Sequence, residues 1–174
     1  PWADDYGDIL HFLSVFLESE NPQDKIRSLF LSQGPHYTAF SRIIYHLYYT
    51  VFDKINFKDI LVIGNLGVLF IYIFYLIHLR HHRSKHFVYL FIALMLFQPL
   101  AWSCIFWPMA AMAHCYVLLF SFLAILFLAK GSLSGALVAG IFALMATFTF
   151  GNGIIVFAVF FIYFLKEKKF ADWV

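Results

Sequence analysis

Charge is scarce in this sequence, and negative charge is missing from most of it. Only 13% of the 174 residues are Asp, Glu, Lys or Arg, where a soluble domain usually carries about 25%. Residues 60–165 contain no Asp or Glu and four bases: Arg80, Arg83, Lys85 and Lys130. Carboxylate chemistry is therefore excluded from that stretch. So is ion-coupled transport of the kind that depends on acids within spans. The two cysteines, Cys104 and Cys115, cannot form a disulfide framework or a zinc site on their own. A net charge of +2 gives no basic footprint for nucleic acid.

Apolar residues are what the chain has in excess. They make up 63% of it, and 23 residues are Phe. A water-soluble globule of this length cannot bury that much apolar surface, and a disordered chain does not contain it. The expected fold is all-α: a polytopic helical membrane protein of about five transmembrane helices. A crossing needs about 20 apolar residues. The runs that fit are 60–79, 87–106, 109–129, 133–150 and 154–165, the last two divided by Gly151-Asn152-Gly153. A single helix through that triplet is the alternative.

The basic residues choose between these counts. They cluster at Arg80–Lys85, at Lys130 and at Lys166-Glu167-Lys168-Lys169. Five alternating spans put all three clusters on one face, which the positive-inside rule makes cytoplasmic. Residues 1–57 then form an extracytoplasmic loop, and 58–174 form the membrane bundle. The Trp102–Pro108 turn and the Gly-Asn-Gly triplet fall on the same outer side.

The outer loop is patterned. It belongs to a stretch, residues 1–59, that holds 13 of the 22 charged residues. Ile9, Phe12, Leu13, Phe16 and Leu17 recur with helical period. Asn21-Pro22-Gln23-Asp24 reads as a helix start: a cap, a proline at the first position and an acid in the first turn. Ser32-Gln33-Gly34-Pro35 reads as its stop. Phe40, Ile43, Ile44, Leu47 and Val51 make another stripe, with Arg42 on the opposite, polar side. Such helices lie in the plane of the membrane interface.

The first eight residues, Pro1-Trp2-Ala3-Asp4-Asp5-Tyr6-Gly7-Asp8, carry an acidic pair. Adjacent carboxylates repel when both are ionised, and a raised pKa suits a general acid or base. Asp4 and Asp5 could also hold a divalent metal through oxygen; the sequence calls for no other cofactor. A solvated acidic turn is the plainer reading. His78, His81, His82 and His86 include i, i+4 pairs, but Arg80, Arg83 and Lys85 among them repel a cation. Gly64-Asn65-Leu66-Gly67 lacks the strand–turn–helix setting of a phosphate loop. Small residues at 131–140 read as helix packing.

The order of these features resembles the polytopic GT-C glycosyltransferases of the protein mannosyltransferase and aminoarabinose transferase type. The resemblance runs from the acidic pair through His36 in Gly34-Pro35-His36-Tyr37 to the aromatic helix Ile43-Ile44-Tyr45-His46-Leu47-Tyr48-Tyr49. It continues into the turn Val51-Phe52-Asp53-Lys54-Ile55-Asn56-Phe57 and the first span. The segment Thr147-Phe148-Thr149-Phe150-Gly151-Asn152-Gly153 is similar to the family's Thr-Lys-Gly stretch, with Asn152 near the place of the lysine. Tyr37-Thr38 stands where the family has Pro-Pro after the histidine. No acid opens the 109–129 span; Met109-Ala110-Ala111-Met112-Ala113-His114 does.

The resemblance implies a catalytic role for Asp4 and Asp5. Asp4 is the general base toward an acceptor hydroxyl, and Asp5 is its support or a metal ligand. His36, Arg42, His114 and Asn152 are the expected substrate-binding residues. Arg42 is added on physical grounds, because phosphate recognition favours arginine. The implied donor is a lipid-linked sugar on a polyprenyl phosphate, and the implied site is the bacterial inner (plasma) membrane. Membrane lipids are the other expected partners. The resemblance also implies a span before Pro1 and more chain after Val174. A non-catalytic scaffold or transporter component is the alternative function.

Overall fold

The computed structural model describes residues 5–31, 37–79, 86–98 and 102–167. Among these residues every regular element is helical. In the head, α1 is a π-helical turn over Tyr6–His11 that continues as an α-helix over Phe12–Glu18. Next come α2 (Pro22–Phe30) and α3 (Ala39–Phe52). The bundle contains α4 (Phe57–Leu79), α5 (His86–Leu96) and α6 (Trp102–Phe106). The long helix α7 follows in three registers, Pro108–Ala110, π-helical Ala111–Cys115 and Tyr116–Leu128. The last described elements are α8 (Leu133–Thr149), a 3-10 turn over Gly151–Ile154, and α9 (Ile155–Glu167).

Among the described residues two stretches are long and apolar enough to cross a membrane: Phe57–Ile77, with mean hydropathy 2.5, and Pro108–Leu128, with 2.3. Phe87–Leu96, Leu133–Thr149 and Gly151–Leu165 are shorter apolar helices. The expected single helix over 87–106 is two helices, His86–Leu96 and Trp102–Phe106. Pro99 falls between them in sequence, and a proline supplies no backbone donor to a helix. Pro99 itself lies outside the described residues, as do Arg80–Lys85 and Lys168–Val174.

Contacts between helices fix their directions. Gly64 of α4 lies against Ala111 of α7, and Gly67 lies against Cys115. Tyr75 stacks on Phe122. The two numberings rise together, so α4 and α7 run parallel. A Cβ on Gly64 would come within 2.7 Å of the Ala111 Cβ; only glycine allows this approach, as in other small-residue helix interfaces. The Gly64–Gly67 stretch is thus a packing device. Polar side chains add bonds across the same seam: Tyr116 Oη donates to the Ile63 carbonyl at 3.0 Å. Asn65 Nδ2 donates within α4 to the Leu61 carbonyl at 2.9 Å and across to the Ile105 carbonyl of α6 at 2.8 Å.

The α7–α8 pair is antiparallel. Gly135 sits beside the Phe127 carbonyl at one end, and His114 packs against Phe150 at the other, ring centroids 4.7 Å apart. Ala124, Ala139, Ala143 and Ala146 form the small-residue floor of this core. Phe150 then turns extended, with φ −160° and ψ 138°, and ends α8. Gly153 folds back against Ala146, while Gly131 at the start of α8 has the Tyr163 hydroxyl nearby. So α9 runs back along α8, and the Gly-Asn-Gly triplet divides two helices as the sequence suggested. Asp59, Pro108 and Gly151–Ile154 share one end of the bundle. Leu79, Lys130 and Tyr163 share the other.

The head packs on the first of these ends. Asn21 caps α2 by accepting from the Gln23 amide at 3.0 Å, with Pro22 at the first position, as its sequence dictates. Ile9, Phe12 and Leu13 of α1 bury with Tyr45, Tyr48, Ile60 and Met112. Tyr48 Oη donates to Asp59 and ties α3 to the start of α4.

Helix α3 is inside out by the standard of a soluble protein. Its buried face carries Ser41, Arg42, Tyr45 and Tyr48. Ile43, Leu47 and Val51 are 43, 53 and 72% exposed. Against water each such aliphatic forfeits part of the roughly 1.5–3 kcal/mol that burial would supply. Against hydrocarbon it forfeits nothing, since lipid tails are as apolar as the side chains.

Candidate functional site

The head contributes two buried carboxylates, and each closes a long-range contact. Asp5 lies one residue before the π-helical turn of α1 and is fully buried. Its Oδ1 accepts from the Met109 amide at 3.0 Å, across 104 residues of sequence. Met109 stands in the first turn of α7, just after Pro108. The amides of a first turn have no partner within their own helix, and the positive end of the helix dipole favours a carboxylate there. Asp5 therefore brings an acid from the head to the first turn of α7.

Asp8, three residues on, is also fully buried. Its Oδ1 accepts from Thr38 Oγ1 at 2.9 Å and from Arg42 Nε and Nη2 at 3.2 and 3.1 Å. Arg42 Nη1 donates to the Ser28 and Leu31 carbonyls at 2.8 and 2.6 Å. The guanidinium also lies 5.4 Å from the centroid of the Phe12 ring. One arginine thus gathers α1, the end of α2 and α3. Such a fork of donors is what distinguishes arginine from lysine.

The structure places Arg42 differently from the expected outward polar face: it is buried, and its guanidinium donates to Asp8 and two main-chain carbonyls. The physical reason is the orientation of α3: Ile43, Leu47 and Val51 stay exposed, Phe40 and Ile44 are half-buried, and Ser41, Arg42 and Tyr45 face inward. Sequence reasoning passed over Asp8. A usable signal was present, because Arg42 is the only Lys or Arg between Arg27 and Lys54. A lone cation on a helix packed into a head needs an anion.

Burial pushes the Asp8 carboxyl above its ordinary value of 3.8, and Arg42 and Thr38 offset only part of that effect. The Tyr45 phenol, wholly buried near Asp8 and Ser41, is pushed well above its usual value by the same cause. The linkage follows from the signs. An acid whose folded pKa is raised favours the folded state most when protonated, below its unfolded pKa. That contribution is lost as pH climbs through the raised value. In an Asp8→Asn chain the stability lost between pH 3.8 and neutrality should shrink relative to wild type. Melting temperatures across that range measure it, and an unchanged pH slope would contradict the assignment.

His114 and Asn152 are brought together. Both line a cavity of about 460 Å³ between α7 and α9, with Cys104 and Ser121 as its other polar members. The remaining lining is apolar, including Val117, Leu118, Ile125 and Val159. Met109, the partner of Asp5, precedes His114 by five residues, about 7–8 Å along the helix. Asp5, His114 and Asn152 therefore share the end of the bundle where α7 begins. Asp4 and His36 lie outside the described residues. Among the described residues no three His, Cys, Asp or Glu side chains come together as a metal site.

The chemistry available here is that of an apolar groove with a few polar groups at one end and a carboxylate on a helix start nearby. Such a cavity suits a ligand with a long apolar part and a small polar part. No family model, no curated protein and no solved structure matches the chain.

Proposed function

We propose that this chain is a polytopic membrane glycosyltransferase of the GT-C type, moving a sugar from a polyprenyl phosphate to an acceptor on the extracytoplasmic face. The observation that supports the reading is the Asp5–Met109 contact. It draws the acidic opening of the head to the start of α7, beside the groove of His114 and Asn152. In this reading residues 1–57 are extracytoplasmic, the bundle spans a bacterial plasma membrane, and the C-terminus is cytoplasmic.

The chemistry assigns Asp4 as the base. It takes the acceptor O–H proton as that oxygen bonds to the anomeric carbon. The bond from that carbon to the phosphate oxygen breaks, and the polyprenyl phosphate leaves with the electron pair. Asp5 holds the acidic segment on α7, and His114 and Asn152 meet the polar end of the donor. A divalent metal at the pair would assist the leaving phosphate. A non-catalytic scaffold is the competing reading, and the engagement of Arg42 by internal partners favours it.

The test uses full-length protein in vesicles with a labelled polyprenyl phosphosugar. Asp4→Asn should lower transfer about 10²–10⁴-fold, the usual value of a general base. Asp5→Asn keeps an oxygen for the Met109 amide and should cost less than Asp5→Ala. Transfer unchanged in the Asp4→Asn, Asp5→Asn double variant would remove the catalytic assignment.

A further inference from the structure

A second groove lies away from the candidate site and shares no residue with it. It is formed by α2, α3 and α8, has a volume of about 410 Å³, and is lined only by apolar side chains. Phe30, Phe40 and Ile43 come from the head; Ile141, Leu144 and Phe148 come from the bundle. Phe30 meets Phe148 edge-on with centroids 5.4 Å apart, which closes one side.

The groove lies on a longer apolar surface. Leu133, Leu137, Ile141, Leu144 and Phe148 are all exposed on α8. Their spacing of three and four residues makes one stripe along the helix. That stripe runs into the groove without a polar break and leaves it on the exposed face of α3 at Ile43, Leu47 and Val51. One apolar surface therefore joins the bundle wall to the inside-out helix of the head. One turn of a partner helix, about 10 Å wide and about 5.4 Å tall, would occupy roughly 400 Å³. The groove's volume is no more than that of one such turn, and its wholly apolar lining suits a hydrocarbon chain.

We propose that this groove binds one acyl chain of a bilayer phospholipid, wedged between the head and α8. The inference rests on the membrane part of the reading above and is independent of sugar transfer. It makes lipid a structural element of the head–bundle joint, distinct from any lipid-linked substrate in the His114–Asn152 groove.

The experiment is native mass spectrometry of the full chain, purified from its membrane in mild detergent. Wild type should retain one phospholipid. Ile43→Trp and Leu144→Trp, at positions 43 and 51% exposed, fill the groove from its open side and should each lose most of that adduct. Ile43→Ser, which leaves the groove open but makes it polar, should weaken retention. Leu137→Trp, on the same stripe outside the groove, should retain the lipid as wild type does. A wild-type chain without phospholipid, equal retention in all variants, or a polyprenyl phosphate as the retained mass would each overturn the proposal. Carbonate washing of membranes separates the two failures. A chain that stays in the membrane yet carries no phospholipid sinks only this inference, whereas a chain that washes off sinks the membrane reading.

Discussion

Replacing Arg42 with alanine should destabilise the head by about 3–5 kcal/mol, the cost of leaving a buried charge without its partner. Three groups lose the guanidinium together: the Asp8 carboxylate, which keeps Thr38, and the Ser28 and Leu31 carbonyls. Arg42→Lys should recover little, because one ammonium cannot serve an acid and two carbonyls in three directions. Removing both charges, as Arg42→Met with Asp8→Leu, should cost less than Arg42→Ala alone. A buried ion pair is often replaceable by apolar groups, while half of one is not. Denaturant melts of the detergent-solubilised chain, together with protease cleavage within 5–31, measure this. The bundle helices should stay resistant while the head opens. A head as resistant in Arg42→Ala as in wild type would show that the Asp8–Arg42 clamp carries no stability.

Gly153→Ala should be among the most damaging methyl additions in the bundle. The new Cβ would fall inside the carbonyl group of Ala146. That carbonyl belongs to the last turn of α8 and accepts from the Phe150 amide at 3.1 Å, so it cannot withdraw without opening the helix end. Overpacking of this kind costs about 1–3 kcal/mol and more where backbone is the obstacle. The turn that carries Asn152 into the candidate groove would shift with it. Gly140→Ala is the matched control. Nothing lies within 4 Å of its Cβ position, and alanine is the better helix former by about 0.8–1.0 kcal/mol. The first variant should melt lower than wild type and the second at least as high. Equal melting temperatures in the two would mean that α9 does not fold back against Ala146.

Local signals in the sequence were read well, and long-range ones were not. Asn21-Pro22 announced the start of α2 because a cap and a helix-ready proline act within one turn. The period of Ile9, Phe12 and Leu13 announced the buried face of α1. Gly151-Asn152-Gly153 announced the break between α8 and α9. The stripe on α3 was visible too, but a period does not say whether the stripe turns inward or toward lipid. That ambiguity misplaced Arg42 and hid Asp8. The Asp5–Met109 bond joins residues 104 apart, and no spacing rule reaches that far. The meeting of His114 with Asn152 depends on α7 and α8 running antiparallel, which the alternation of spans implied. The lining of the groove by Cys104 and Ser121 becomes visible only once the helices are packed.

The central claim is that the bundle crosses a membrane with the head and the candidate site at the outer end and the basic turn at the other. Cysteines placed at Lys54 and at Lys130, both exposed, report on the two ends. In intact cells a membrane-impermeant maleimide should label Lys54→Cys above the unsubstituted chain and leave Lys130→Cys at background. After permeabilisation it should label both. Labelling of both positions from outside, or of Lys130→Cys alone, would contradict the account.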